Sequence, residues 1–262
     1  MRAVGVHADV VVAVSGFWQT TCTALRADEE AFLIDSPVLP GELEALPSLL
    51  AQAAFPAVQG LLVTHADWDH LLGRYAFPDA SIGCGESTAQ RLRSEPGAAQ
   101  RELRAFDDEH YVERPGPLRL AGAQPLAVPG QCELGNRTLE LHPTPGHTAD
   151  GMAILAPWAD LLCCGDYVSP VEIPWLSPGG SPAAYRETLE RLRGLVERVR
   201  TVVPGHGSPL SREDALAVLE ADRAYLDALE REGATAPLPE GRSSPAQRKI
   251  HAENVERVHA GA

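Results

Sequence analysis

The sequence contains no run of basic residues, although it is 262 residues long and strongly acidic. It has 36 Asp and Glu against 22 Lys and Arg, which gives a net charge of -14. Proteins that bind nucleic acids owe much of their affinity to clustered Lys and Arg side chains. The composition therefore argues against a nucleic-acid partner and against a polyanionic ligand. We expect a small-molecule substrate, and the sequence leaves the oligomeric state open.

Long apolar runs and paired cysteine motifs are also missing. No stretch approaches the roughly 20 apolar residues that cross a membrane, and the run Val10–Val14 is too short and too early for a signal peptide. The five cysteines are odd in number and show no C-x-x-C spacing, which argues against a disulfide framework. We therefore expect a cytoplasmic protein with no membrane contact.

Short apolar runs alternate with helical patterns along most of the chain, which favours an α/β layered fold. The predicted strands are Val10–Val14, Thr20–Arg26, Ala31–Ile34, Leu61–Val63, Pro125–Val128, Thr138–His142, Met152–Leu155, Leu161–Cys164 and Thr201–Val203. The predicted helices begin at Pro40, Ser181 and Ser211. The length suits one large domain, which we place at residues 1–235. Charged helical patterns predict an insertion at about residues 87–114, and residues 236–262 are expected to form a peripheral tail.

Potential metal ligands follow four of these short strands, each in a tight turn. The turns are Thr64-His65-Ala66-Asp67-Trp68-Asp69-His70, Pro145-Gly146-His147, Cys164-Gly165-Asp166 and Pro204-Gly205-His206-Gly207. Glycine lets the backbone turn sharply beside a ligand, and α/β folds gather such loops on one side of a sheet. These seven ligand candidates are therefore expected to meet at one site.

Seven imidazole and carboxylate ligands are too many for one tetrahedral ion, but they suffice for two divalent ions about 4 Å apart. Such ions share a carboxylate and a bridging hydroxide, which becomes a nucleophile at neutral pH. These ligand types suit Zn²⁺, Fe and Mn²⁺. The sequence thus predicts a metal-dependent enzyme.

The four motifs resemble those of the metallo-β-lactamase superfamily, particularly its glyoxalase II and lactonase-like branches. The family pattern is H-x-H-x-D-H, a Gly-His turn, a Gly-Asp turn and Pro-Gly-His-Gly, and the resemblance spans roughly residues 20–210. It implies a four-layer αββα sandwich. It also implies two metal sites with Asp166 bridging them. The first site would use His65, Asp67 and His147, and the second would use Asp69, His70 and His206.

Asp67 departs from the family pattern, which has a histidine at this position. A carboxylate is a harder ligand and shifts the preference from Zn²⁺ towards Fe or Mn. The flavodiiron branch of the superfamily places a glutamate here, but its flavodoxin-like domain would not fit in this chain. The chain also lacks the long insertion typical of the superfamily's nucleases.

We expect a hydrolase that uses two ions, most simply Zn²⁺, to cleave a small ester, lactone or thioester. Asp69 and Asp166 are the predicted catalytic residues, while Trp68 and Tyr167 are predicted to contact the substrate. Two alternatives stay open: a non-haem iron oxidoreductase on the same fold, and a catalytically silent metal-binding protein.

Overall fold

The computed structural model describes residues 1–260, which form two β-sheets packed face to face. The first sheet has seven strands in sequence order, antiparallel from β1 to β4 and parallel from β4 to β7. Its strands are β1 (Arg2–His7), β2 (Val10–Val14), β3 (Thr21–Ala27), β4 (Glu30–Ile34), β5 (Val58–Val63), β6 (Ser81–Gly85) and β7 (Gln124–Leu126).

The second sheet has six strands in the order β13-β12-β11-β10-β9-β8. They are β8 (Gly130–Leu134), β9 (Arg137–Pro143), β10 (Met152–Ala156), β11 (Leu161–Cys163), β12 (Thr201–Val203) and β13 (Leu210–Ser211). Only β11 and β12 pair in parallel, and the other neighbours are antiparallel.

Seven α-helices are present in the described part of the chain, and they cover the two outer faces. The first sheet carries α1 (Pro40–Gln52), α2 (Gly73–Ala76), α3 (Glu86–Ser94) and α4 (Ala98–His110). The second carries α5 (Pro182–Val196), α6 (Arg212–Glu232) and α7 (Pro245–Ala260). The order of layers is helix, sheet, sheet, helix, so the predicted αββα sandwich is confirmed. None of the described helices is long and apolar enough to cross a membrane.

Strand alternation explains why the sheets are buried on both faces. In β2, Val10, Val12 and Val14 join the core between the sheets, whereas Val11 and Ala13 pack towards the helices. Successive side chains of a strand point to opposite faces, so one apolar strand serves two cores. The strand ends are thereby fixed, and so are the turns that follow them.

Helix caps match the positions predicted from the sequence. The Ser211 hydroxyl accepts a hydrogen bond from the backbone N–H of Asp214 at 3.1 Å, and the Ser181 hydroxyl accepts one from Ala184 at 3.4 Å. Such N-caps satisfy backbone donors that the first turn of a helix leaves free. These caps fix where α5 and α6 begin.

The C-terminal segment differs from the peripheral tail that the sequence predicts. Arg242, Gln247 and Asn254 are buried, and the side chains of Gln247 and Asn254 accept hydrogen bonds from the backbone N–H groups of Ile173 and Leu176. The segment therefore packs against the loop that follows β11. It also adds Ile250, Val255 and Val258 to the edge of the second sheet's helical core, but its buried polar contacts leave no mark on the apolar pattern of the sequence.

Candidate metal centre

The seven predicted ligands come together at one edge of the sandwich, where β5, β9, β11 and β12 end. His65 and Asp67 follow β5, Asp69 and His70 lie in a 3₁₀ turn (Trp68–His70), His147 follows β9, Asp166 follows β11, and His206 follows β12. Each ligand thus lies in a turn that follows the carboxyl end of a short strand.

The first ligand cluster consists of His65, Asp67, His147 and Asp166, whose ligand atoms all lie within 4.8 Å of one another. The Asp67 Oδ2 atom is 3.2 Å from His147 Nε2 and 3.6 Å from His65 Nε2. The two ring nitrogens and the carboxylate oxygens therefore converge on one point.

The second ligand cluster consists of Asp69, His70 and His206, again with ligand atoms within 4.8 Å of one another. The Asp69 Oδ2 atom is 3.6 Å from His70 Nε2 and 3.5 Å from His206 Nε2. All three residues are buried.

Asp166 joins the two clusters, because its two oxygens face different histidines. Its Oδ2 atom is 3.5 Å from His65 Nε2 and 3.4 Å from His147 Nε2. Its Oδ1 atom is 3.0 Å from His70 Nε2 and 3.3 Å from His206 Nε2. One carboxylate therefore reaches both groups of ligands.

The four histidine rings are oriented by hydrogen bonds from their Nδ1 atoms, which leave every Nε2 atom facing the clusters. The acceptors are Thr64 Oγ1 for His65 at 3.0 Å, Asp35 Oδ2 for His70 at 3.0 Å, the Trp175 carbonyl for His147 at 2.8 Å and the Trp18 carbonyl for His206 at 3.1 Å. Metal-binding histidines are held in this way, since the second bond fixes both the tautomer and the ring orientation.

Unpaired buried atoms show that a metal fits the site. Among the residues that the structure describes, the Nε2 atoms of His65 and His70 and Oδ1 of Asp166 are buried without a hydrogen-bond partner. Buried polar atoms seldom remain unpaired, and nitrogen and carboxylate ligands are those that Zn²⁺, Fe and Mn²⁺ accept. The two clusters therefore fit a dinuclear metal site.

The close approach of histidines and carboxylates in the two clusters shifts the pKa values of His65 and His206. Burial and His70 act to lower the pKa of His65, but the carboxylates of Asp166 and Asp67 outweigh them and raise it to about 10. Burial similarly opposes Glu172 and Asp166, which raise the pKa of His206 to about 10. In the metal-free protein, His65 and His206 therefore hold protons that offset part of the carboxylate charge. Metal uptake would displace these protons.

Two charged residues near the ligands were not found from the sequence. The Arg91 guanidinium lies 2.8 Å from Asp67 Oδ1, and Glu172 Oε2 lies 3.9 Å from His206 Nε2. Arg91 belongs to the charged helix α3, and Glu172 to the loop after β11. Neither residue has a sequence signal of its own, because both meet the site only through folding.

Tyr167 is placed differently from the predicted substrate contact. Its side chain is buried, and its hydroxyl accepts from the His147 N–H at 2.8 Å and donates to the Thr144 carbonyl at 3.1 Å. Both interactions hold the turn that carries His147, so the hydroxyl is occupied. Tyr167 therefore supports a ligand loop instead of facing a substrate.

Trp68 lies in an aromatic cluster beside the ligands. Its ring centroid is 5.6 Å from that of Trp18 and 4.6 Å from that of Phe106. Trp18 is 44% exposed, whereas Trp68 is 8% exposed. The cluster is therefore joined through Trp68 to the turn that carries Asp69 and His70, and Trp18 is its accessible member.

Comparison with known proteins agrees with this geometry. The model of the metallo-beta-lactamase superfamily matches residues 15–206. A solved metallo-beta-lactamase family protein from Thermus thermophilus is 20% identical, with 97% of this chain and 94% of that chain covered and a TM-score of 0.69.

Two further solved structures share the fold. A metallo-beta-lactamase from Pontibacter korlensis is 19% identical, with 84% of this chain and 98% of that chain covered and a TM-score of 0.59. The sec-alkylsulfatase Pisa1 from Pseudomonas sp. is 14% identical, with 99% of this chain but 50% of that chain covered and a TM-score of 0.73. At such identities the likeness shows the fold alone. Because the family match extends over most of the chain, the protein belongs to the metallo-beta-lactamase superfamily.

Proposed function

We propose that this protein is a metal-dependent hydrolase that uses two divalent ions to cleave a small ester, lactone or thioester. The observation that carries the proposal is the position of Asp166, whose Oδ2 faces His65 and His147 while Oδ1 faces His70 and His206. A carboxylate that reaches two ligand groups is what a two-metal hydrolytic site requires. When bound, the ions would supply a hydroxide nucleophile at neutral pH and a Lewis acid for the substrate carbonyl oxygen.

We assign the remaining roles in catalysis and substrate binding to side chains of the protein. Asp166 would hold the two ions together. Asp69, which is buried with Oδ2 beside two histidines of the second cluster, is the group that we assign to carry a proton to the leaving group. Trp68 and Trp18 would contact the apolar part of the substrate through their aromatic surface.

The charges around the site favour a neutral substrate. Arg91, which reaches the first cluster, is already paired with Asp67 and Asp150, so it is not free to bind an anion. Glu172 adds a further carboxylate beside His206, and the whole chain carries a net charge of -14. We therefore propose a small neutral ester, lactone or thioester in preference to a phosphorylated or nucleic-acid substrate.

Asp67 supports a second candidate, a non-haem iron oxidoreductase on the same fold. Its Oδ2 atom lies among the ligand atoms of the first cluster, where a carboxylate favours harder ions. Elemental analysis of protein purified without added metal distinguishes the two candidates. About two zinc ions per chain would support the hydrolase, whereas iron together with oxygen consumption would support the oxidoreductase.

Hydrolysis of a panel of esters, lactones and thioesters then tests the reaction. We expect His70→Ala to lower kcat/KM by more than about 100-fold, because it removes a second-cluster ligand whose loss affects the ion and its nucleophile. His142→Ala is the matched control, since His142 contacts Glu140 on β9 and no ligand cluster. Wild-type activity in His70→Ala would refute the assignment, and a metal-loaded protein inert to the whole panel would indicate a catalytically silent metal-binding protein.

A further inference from the structure

Arg91 connects helix α3 to the first ligand cluster. From helix α3 its Nη2 atom reaches Asp67 Oδ1 at 2.8 Å and its Nη1 atom reaches Asp150 Oδ1 at 3.0 Å. The Arg91 side chain is 19% exposed, and that of Asp150 is 2% exposed. The guanidinium is therefore fixed between two carboxylates at the border of the site.

The two oxygens of Asp67 consequently have different surroundings. Oδ1 is taken by Arg91, whereas Oδ2 lies 3.2 Å from His147 Nε2 and 3.6 Å from His65 Nε2. A carboxylate can ligate a metal through one oxygen or through both. In this arrangement only Oδ2 is free to do so.

Asp150 makes the arrangement rigid. Its Oδ1 binds Arg91, and its Oδ2 accepts a hydrogen bond at 2.9 Å from the backbone N–H of Ala66, which lies between two ligands. The ligand loop and the guanidinium are thus attached to the same carboxylate. The planar fork of an arginine can hold two carboxylates at once, which a lysine ammonium does with less geometric control.

We propose that Arg91 is a positioning residue that restricts Asp67 to ligation through one oxygen and thereby sets the metal preference of the first cluster. One-oxygen ligation favours the low coordination number of Zn²⁺, whereas two-oxygen ligation favours ions such as Mn²⁺ that take six oxygen-rich ligands. The Asp67–Arg91 pair would thus preserve a zinc-type site although the family's histidine is replaced. This inference rests on the proposed two-metal function.

The test is the ratio of the dissociation constants for Zn²⁺ and Mn²⁺, measured by chelator competition in the full-length protein. Removing the arginine charge strengthens the binding of both dications electrostatically, and this effect largely cancels in the ratio. We expect Arg91→Met to shift the ratio at least tenfold towards Mn²⁺. In the Co²⁺-loaded variant, the visible absorption should weaken as the coordination number rises.

Two further variants test whether the effect of Arg91 on the metal preference passes through the Asp67 carboxylate. Arg93→Met, on the same helix but exposed, should leave the ratio unchanged. In an Asp67→His background, Arg91→Met should also leave it unchanged, because position 67 then has no second oxygen. Arg91→Gln provides a second test if the methionine variant does not fold, as judged by circular dichroism.

An unchanged ratio in folded Arg91→Met and Arg91→Gln would overturn the role of Arg91 while leaving the hydrolase proposal intact. An equal shift in the Asp67→His background would overturn it as well, since the effect would not pass through the carboxylate. A wild-type protein that binds neither ion would overturn both this inference and the proposed function.

Discussion

A methyl group at Gly205 should dismantle the metal centre without removing any ligand. A Cβ atom built at this position would overlap Asp166 Oδ1 and approach the carbonyl carbon and oxygen of Gly165 at 2.9 Å. The backbone at Gly205 cannot retreat, because its N–H donates to Gly165 at 2.6 Å and its carbonyl accepts from Thr21 at 2.7 Å. The carboxylate of Asp166 must therefore move, and it is the group that joins the two clusters.

The size of the effect follows from two contributions. Overpacking a tight site costs about 1–3 kcal/mol of metal-free stability. Displacing Asp166 should also weaken metal binding by about 100-fold or more, since even residues that only orient a ligand are worth about 10–100-fold. At a fixed metal concentration far above the wild-type Kd, a 100-fold loss removes about 2.7 kcal/mol of metal-dependent stabilisation.

Urea denaturation with a chelator and then with saturating Zn²⁺ measures both contributions for Gly205→Ala. The matched control is Gly194→Ala in helix α5, where an added Cβ meets nothing within 4 Å. The control should gain up to about 1 kcal/mol from better helix propensity and keep the full metal effect. A Gly205→Ala protein that binds two ions with wild-type affinity would refute the steric argument.

Three further outcomes follow from the same contacts. Asp35→Asn removes the carboxylate that accepts a hydrogen bond from His70 Nδ1 at 3.0 Å, so the metal affinity measured by chelator competition should fall about 10–100-fold. An unchanged affinity would show that packing alone orients the His70 ring. Asn254→Ala leaves the N–H of Leu176 and the carbonyl of Pro174 unpaired, so the free energy of unfolding measured with urea should fall by about 2–4 kcal/mol. A fall below about 0.5 kcal/mol, which is typical of a surface change, would contradict the packing of α7. Metal at about 1,000 times its Kd should raise the free energy of unfolding by about 4 kcal/mol for each ion bound. Each such contribution corresponds to a rise in Tm of about 8–16 °C over chelator-treated protein, and an equal Tm in both conditions would argue against metal binding to the folded state.

The seven ligands could be predicted from the sequence because each lies in a short motif of neighbouring residues. His147 and His206 follow glycines in turns after apolar segments, and His65 directly follows Thr64 at the end of β5. A turn of this kind needs only neighbouring residues to be recognised. The fold then brings the turns to one edge, as strand ends in α/β layers do.

Four strands of the structure were not predicted, namely β1, β6, β8 and β13, and the residues of β1 and β8 are largely exposed or half-exposed. All six residues of β1 are exposed or half-exposed, and β8 alternates exposed and half-exposed residues up to the buried Leu134. Without a buried face, alternation of apolar and polar residues is not required. Their position in the sheets is determined by pairing with β2 and β9, which the sequence of the strand itself does not encode.

Arg91 and the C-terminal segment were missed for a related reason, because their roles depend on contacts between residues distant in sequence. Helix α7 is held to the protein partly through Gln247 and Asn254, which bind backbone groups of Ile173, Pro174 and Leu176. A hydrophobic stripe can be read from periodicity, but a buried amide that pairs with a distant backbone cannot.

These polar contacts have a consequence for the metal centre. The loop that α7 holds includes Trp175, whose indole N–H donates to Glu253 at 3.1 Å and whose carbonyl accepts from His147 Nδ1 at 2.8 Å. A ligand is therefore oriented by a carbonyl whose own position depends on the C-terminal helix. Because metal-binding imidazoles need such support, the last helix belongs to the structure that maintains the first cluster, although it contributes no ligand.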